Sequence, residues 1–135
     1  MTDSIGPELL TELRRLRDCA YAPYSRHPVA VVLETTSGRQ FGGSNVEVAH
    51  FKSICAEASA ISAMIAAGET TIARLWVLGP SDRPCPPCGD CRQRIREFGR
   101  GSTQCLAVGD GGRVLLVRSL DQLLPDSFGP DHVAS

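Results

Sequence analysis

The hydrophobic positions of this chain change period several times, and each period predicts an element. Leu9, Leu13, Leu16 and Ala20 recur at helical spacing, with Glu12, Arg14, Arg15 and Arg17 on the opposite side, so an amphipathic helix is expected over residues 7–20. Ala22-Pro23-Tyr24-Ser25 breaks it. Residues 29–33, Val-Ala-Val-Val-Leu, read as a buried strand, Ser37-Gly38 as a turn, and residues 39–45 as the returning strand of a hairpin. Residues 54–67 are apolar on nearly every side, the pattern of a central helix, with Gly68 placed to end it. A strand over 72–78, a Pro-rich loop over 79–87 and a helix over 88–98 follow. Two strands, 104–108 and 114–117, and a short helix over 119–124 complete the order.

The link at 109–113 is too short for the crossover that parallel neighbours need, so the fourth and fifth strands must be antiparallel if adjacent. The order α-β-β-α-β-α-β-β-α predicts an α/β domain, a mixed five-stranded sheet with helices on its faces. One domain is expected over 1–135, with flexible ends at 1–6 and 129–135.

Composition narrows the function. The net charge is −1 and aromatic residues make up 5% of the chain, so neither a phosphate backbone nor successive unstacked bases would be well held. A nucleic-acid polymer is therefore not the expected partner. No apolar run approaches a membrane span, and residues 1–7 lack the apolar core of a secretory signal. A cytoplasmic location follows as an expectation. Six cysteines in a reducing compartment point to metal binding or burial rather than disulfides.

The chemistry concentrates in Cys55-Ala56-Glu57 and Pro87-Cys88-Gly89-Asp90-Cys91, each at the start of a predicted helix. Cys88 and Cys91 are three apart and face the same way in a first helical turn. Helix N-termini favour thiolate, the form that binds zinc. Cys55 adds a third sulfur, which leaves the fourth tetrahedral position to water, as in catalytic zinc sites. Glu57 is the candidate proton carrier, and the three-cysteine set with a non-ligand Glu and P-C-x-x-C is a known pattern of zinc deaminases. Cys85 leaves a second reading open, a closed four-cysteine structural site. Cys19 and Cys105 lie in apolar patterns and are expected in the core.

With Tyr21-Ala22-Pro23-Tyr24-Ser25, Gly43-Ser44-Asn45-Val46-Glu47, Arg92-Gln93 and Leu123-Leu124-Pro125-Asp126-Ser127-Phe128, these segments resemble the small cytidine deaminases that act on free nucleosides. The resemblance runs from about residue 9 to 128. It implies a three-layer α/β/α fold and a homotetramer with one Zn2+ per subunit, held by Cys55, Cys88 and Cys91. Glu57 would shuttle protons, and Asn45 and Glu47 would hold the ribose 3′-hydroxyl. Ala56 and His27 would contact substrate, and Phe128 would reach a neighbouring subunit's site. The implied reaction replaces the amino group at C4 of cytidine or deoxycytidine with oxygen from water, releasing ammonia, as in pyrimidine salvage.

The chain departs from that family at three positions. Ala58 stands where an Arg usually follows the catalytic Glu, and three thiolates around a dication leave net charge −1. Helix N–H groups and Arg92 are the candidates to offset it. His27 replaces a Phe that packs on the pyrimidine, and Val48 replaces an Asn. Cys-Ala-Glu-Ala and a His in the earlier position also occur in blasticidin-S deaminases, which makes a modified cytosine nucleoside the alternative substrate. Asn45 favours cytidine or deoxycytidine. A non-catalytic zinc module and a polynucleotide deaminase are the remaining readings.

Overall fold

A computed structural model describes residues 3–133. Its elements are α1 (Pro7–Cys19), β1 (Ala30–Thr35), β2 (Gln40–Ser44), α2 (Ala56–Ala66), β3 (Ile72–Leu78), α3 (Gly89–Phe98), β4 (Gln104–Val108), β5 (Val114–Ser119), α4 (Leu120–Leu123) and α5 (Pro130–Val133). The sheet order is β2-β1-β3-β4-β5. β3 and β4 are parallel, joined across α3, while β1–β2, β1–β3 and β4–β5 are antiparallel. The expected mixed sheet with antiparallel fourth and fifth strands is therefore the observed one.

Strand alternation builds the layers. Ala30 and Val32 of β1 and Trp76 and Leu78 of β3 pack with Leu13 and Leu16 of α1. Val31 and Leu33, with Leu75 and Val77, turn to the other face against Ala56, Ala60 and Met64 of α2 and Ile95 of α3. α2 is not the central helix its apolar circumference predicts: it buries one side, Ala56, Glu57, Ala60, Ile61 and Met64, against the sheet, and leaves Ala63, Ile65 and Ala66 exposed. Gly68 has φ +86°, the left-handed conformation that ends a helix.

α2 lies unusually close to β2. A Cβ at Gly43 would sit 2.5 Å from the Ala60 amide nitrogen and 2.6 Å from the Ala56 carbonyl oxygen. Only glycine lets the backbones approach so far. Ser59 Oγ donates to the Ser44 carbonyl at 3.0 Å and locks the contact.

The structure departs from the sequence reading at several places. Cys105 is buried, but Cys19 is exposed, because α1 ends there and only Leu13 and Leu16 of that helix are buried. Helix α5 has no apolar period to announce it. A tertiary ion pair, Arg96 Nη2 to Asp131 Oδ1 at 2.9 Å, ties it to α3. Of the ends expected to be flexible, residues 1–2 and 134–135 lie outside the described residues. Residues 3–6 run beside the β4–β5 turn, where Val114 N–H donates to Asp3 and Ile5 N–H to Gly112, both at 2.8 Å. At the other end, Gly129 N–H donates to His132 Nδ1 at 3.0 Å.

Candidate active site

α2 and α3 begin side by side on one face of the sheet, and each opens with a cysteine. Cys55 is the residue before the first turn of α2, with φ −71° and ψ 155°. Cys88 holds the same position in α3, with φ −67° and ψ 167°. Cys91 lies one turn into α3 and is fully buried. The three sulfurs all lie within 4.8 Å of one another, the one such group of metal-ligating side chains among the described residues.

The extended backbone at Cys55 explains how Glu57 joins this group. On a continuous helix, two residues two apart point away from each other. Cys55 is not helical, so its side chain and that of Glu57 both reach the cluster. Glu57 is 6% exposed. Burial pushes its carboxyl above the ordinary carboxylate range, against opposing interactions with its own backbone N–H and with the Cys91 thiol. Burial likewise pushes the Cys55 thiol up. It pushes Cys91 further up, with the neighbouring Glu57 charge acting in the same direction.

This donor set fits zinc. Sulfurs around a tetrahedral zinc stand about 3.8 Å apart, a separation compatible with the observed cluster. Two partly or fully buried thiols beside a buried carboxylate disfavour every anionic form, and a dication is the partner that reverses this. Cys85 stands apart from the cluster. Its sulfur lies 3.8 Å from His27 Nε2, so the closed four-cysteine arrangement is not formed.

The cluster opens into a cavity of about 230 Å³ lined by His27, Asn45, Cys55, Glu57, Cys85 and Cys88, with Ala56 also on its wall. A larger hollow of about 790 Å³ lies elsewhere, between α3 and the C-terminal segment. It is a broad polar surface basin lined by Arg96, Arg100, Asp121 and Asp131, with no thiol, and the smaller cavity is the one that holds the chemistry.

The remaining predicted residues are already engaged within the chain. Asn45 Oδ1 accepts from Val29 N–H and its Nδ2 donates to the His27 carbonyl, both at 2.9 Å. Glu47 accepts from the Tyr24 and Ser25 N–H groups at 3.0 Å each and from the Ser25 hydroxyl. These bonds hold its carboxyl below the ordinary range, the Ser25 hydroxyl foremost. Both residues thereby fix the 24–29 loop that carries His27. Phe128 lies outside the cavity, 59% exposed and stacked on His132 at 5.3 Å.

Two arginines were not resolved by sequence reasoning. Arg92 makes no hydrogen bond to the clustered thiols: its Nε donates to the Pro87 carbonyl at 2.7 Å and its Nη1 to the Leu123 carbonyl at 2.9 Å. It pins the turn before Cys88 to α4. The guanidinium that does meet a ligand sulfur is Arg94, one turn beyond Cys91. The i, i+3 spacing was the available signal.

Fold and site together define an α/β enzyme scaffold with a thiolate metal centre and a buried carboxylate beside it. The match to known proteins is specific. Residues 7–107 match the family described as cytidine and deoxycytidylate deaminase zinc-binding region, and the chain belongs to this family. It is 31% identical to a cytidine deaminase of Sporosarcina psychrophila over 94% of this chain and 93% of that one. It is 34% identical to a cytidine deaminase of Mycobacterium tuberculosis over 84% of this chain and 82% of that one. The crystal structure of cytidine deaminase from Burkholderia pseudomallei superposes with a TM-score of 0.79 at 35% identity, covering 92% of this chain and all of that one (100%). Zinc is accordingly the cofactor.

Proposed function

We propose that this chain hydrolytically deaminates free cytidine or deoxycytidine, yielding uridine or deoxyuridine and ammonia. The observation that carries this reading is the clustering of Cys55, Cys88 and Cys91 beside buried Glu57, with Cys55, Glu57 and Cys88 on the wall of one cavity. The named cytidine deaminases it resembles over most of their length support the substrate.

Cys55, Cys88 and Cys91 hold zinc, which supplies a Lewis acid that makes water a nucleophile near neutral pH. Glu57 moves the protons. Its buried place beside the ligand thiols suits a group that takes a proton from water and returns one to the base. A C4–O bond forms, the C4–N bond breaks, and the departing nitrogen leaves as ammonia. Ala56 lines the cavity at the first position of α2, where helix N–H groups have no helical partner. That N–H suits an oxygen of the base. His27 packs on the pyrimidine. Asn45, through its remaining Nδ2 hydrogen, and Glu47 receive the sugar 3′-hydroxyl.

The active form is a homotetramer in which Phe128 reaches a neighbouring site. Exposed Tyr21, Tyr24, Val46, Phe51 and Ile54 support assembly, since an apolar group of this kind is uncommon on a monomer. Tyr21 bridges to Val46 and Val46 to Ile54, so part of this group is one contiguous surface. No described helix is long and apolar enough to cross a membrane, and the enzyme acts in cytoplasmic pyrimidine salvage.

The test is incubation of zinc-loaded protein with cytidine, deoxycytidine and blasticidin S, with replacement of nitrogen by oxygen followed by mass spectrometry. Conversion of either nucleoside, lost in Glu57→Ala, supports the reading. Conversion of blasticidin S alone, or of none of the three with zinc bound, overturns it.

A further inference from the structure

We infer that Arg94, acting through Cys91, sets the charge of the metal centre. The inference rests on the reading that Cys55, Cys88 and Cys91 hold a divalent metal. Three thiolates around a dication carry net charge −1, and a partly buried site of that charge, with Cys91 fully buried, calls for a nearby cation. The residue after Glu57 is Ala58, which supplies none. Arg92 is turned to the carbonyls of Pro87 and Leu123. Arg94 is the guanidinium in contact with a ligand sulfur, its Nη1 3.9 Å from Cys91 Sγ. The i, i+3 spacing on α3 places both side chains on one face of the helix.

The same Nη1 lies 2.6 Å from Asp90 Oδ2. Asp90 and Cys91 therefore share one cation, and the shorter contact belongs to the carboxylate. Asp90 limits how much of the Arg94 charge reaches the sulfur. Arg94 is 43% exposed and water screens it further. Arg94 is thus a positioning residue: it touches no substrate, and its effect passes through the electron density that Cys91 gives the metal. With Arg94 removed, the sulfurs donate more strongly and the net-negative loaded site loses a stabilising partner.

The experiment uses the full chain with Co2+ in place of zinc. In Arg94→Gln the sulfur-to-cobalt absorption band is expected to move to lower energy, and in the zinc form a chelator is expected to remove the metal about tenfold faster, the lower end of the range for outer-shell partners. Arg94→Lys is expected to restore most of both. Asp90→Asn is expected to shift both in the opposite direction. That shift is expected to shrink in the Arg94→Gln background, because Asp90 acts largely through Arg94. A band unmoved by Arg94→Gln, or an Asp90→Asn effect of equal size with and without Arg94, overturns the inference alone. No sulfur-to-cobalt band in the unaltered protein overturns the metal-centre reading and the inference with it.

Discussion

Gly43 and Ala60 meet backbone to backbone: a Cβ on Gly43 would lie 2.5 Å from the Ala60 amide nitrogen. This contact seats α2 on β2 and so fixes Cys55 and Glu57 at the head of that helix relative to the sheet. Gly43→Ala forces the helix outward, because its obstacles are two backbone atoms and the Ser59 Cβ, none of which can rotate aside. Overpacking of this kind costs about 1–3 kcal/mol, occasionally more. Urea denaturation is expected to show that loss, and zinc content after dialysis is expected to fall with it. Gly38, which has no atom within 4 Å of the corresponding position, is a useful contrast: its cost comes from φ +90° alone, and zinc content is expected to stay unchanged.

Glu57 gives a pH-dependent prediction in the metal-free protein. Its ordinary value is 4.5, and burial raises it in the folded state. The native state therefore binds more protons than the unfolded chain from about that pH upward, and stability falls with rising pH across the interval. Glu57→Gln removes the ionisable group. Metal-free Glu57→Gln is expected to be more stable than the unaltered protein at neutral pH, with the difference vanishing below about pH 4. Urea denaturation midpoints at several pH values measure this. Equal differences at about pH 3.5 and about pH 7 would show that burial does not control the carboxyl.

Catalysis supplies a separate prediction for the same side chain. Glu57→Gln keeps the shape and loses the proton carrier, so kcat is expected to fall by about 10²–10⁴. Zinc content is expected to remain at one ion per chain, since Glu57 is not among the clustered ligands. Loss of zinc in this variant would make Glu57 a ligand instead.

Cys85 separates the open site from the closed one. Its sulfur contacts His27 rather than the three clustered thiols. Cys85→Ser is expected to retain zinc in full, whereas Cys88→Ser is expected to lower affinity by at least about tenfold, as expected for loss of a direct ligand where even outer-shell changes cost that much. Metal analysis after equilibration with a chelator distinguishes the two.

Much of this was legible in the sequence because the signals are local. The span of β3 was readable from its apolar run, and the short 109–113 link left β4 and β5, if adjacent, only the antiparallel pairing they adopt. The metal cluster was legible because two short segments carry it, each at a helix start. What stayed hidden depends on contacts between distant residues. Asn45 and Glu47 look like free polar groups, yet the fold turns them onto the backbone of residues 24–29. Arg92 and Arg94 are equally basic in the sequence; only their partners, carbonyls for one and Cys91 with Asp90 for the other, separate them. The short helix α5 depends on the Arg96–Asp131 pair and has no pattern of its own.

Phe128 allows the proposed assembly to be tested together with the site. It is exposed, lies outside the cavity of its own chain, and is held near α3 by Gln93 Nε2 donating to its carbonyl at 2.8 Å. If it completes a neighbour's site, each site draws Glu57 from one chain and Phe128 from another. Phe128→Ala and Glu57→Gln variants are each expected to be impaired alone, the second more severely. Unfolded and refolded together in equal amounts, they form mixed assemblies in which about a quarter of the sites combine an intact Glu57 with an intact Phe128, as random pairing across a shared interface requires. Activity of the mixture is then expected to exceed the mean of the two variants. A mixture that equals that mean, with mixed assemblies verified by native mass spectrometry, would place the action of Phe128 within its own chain.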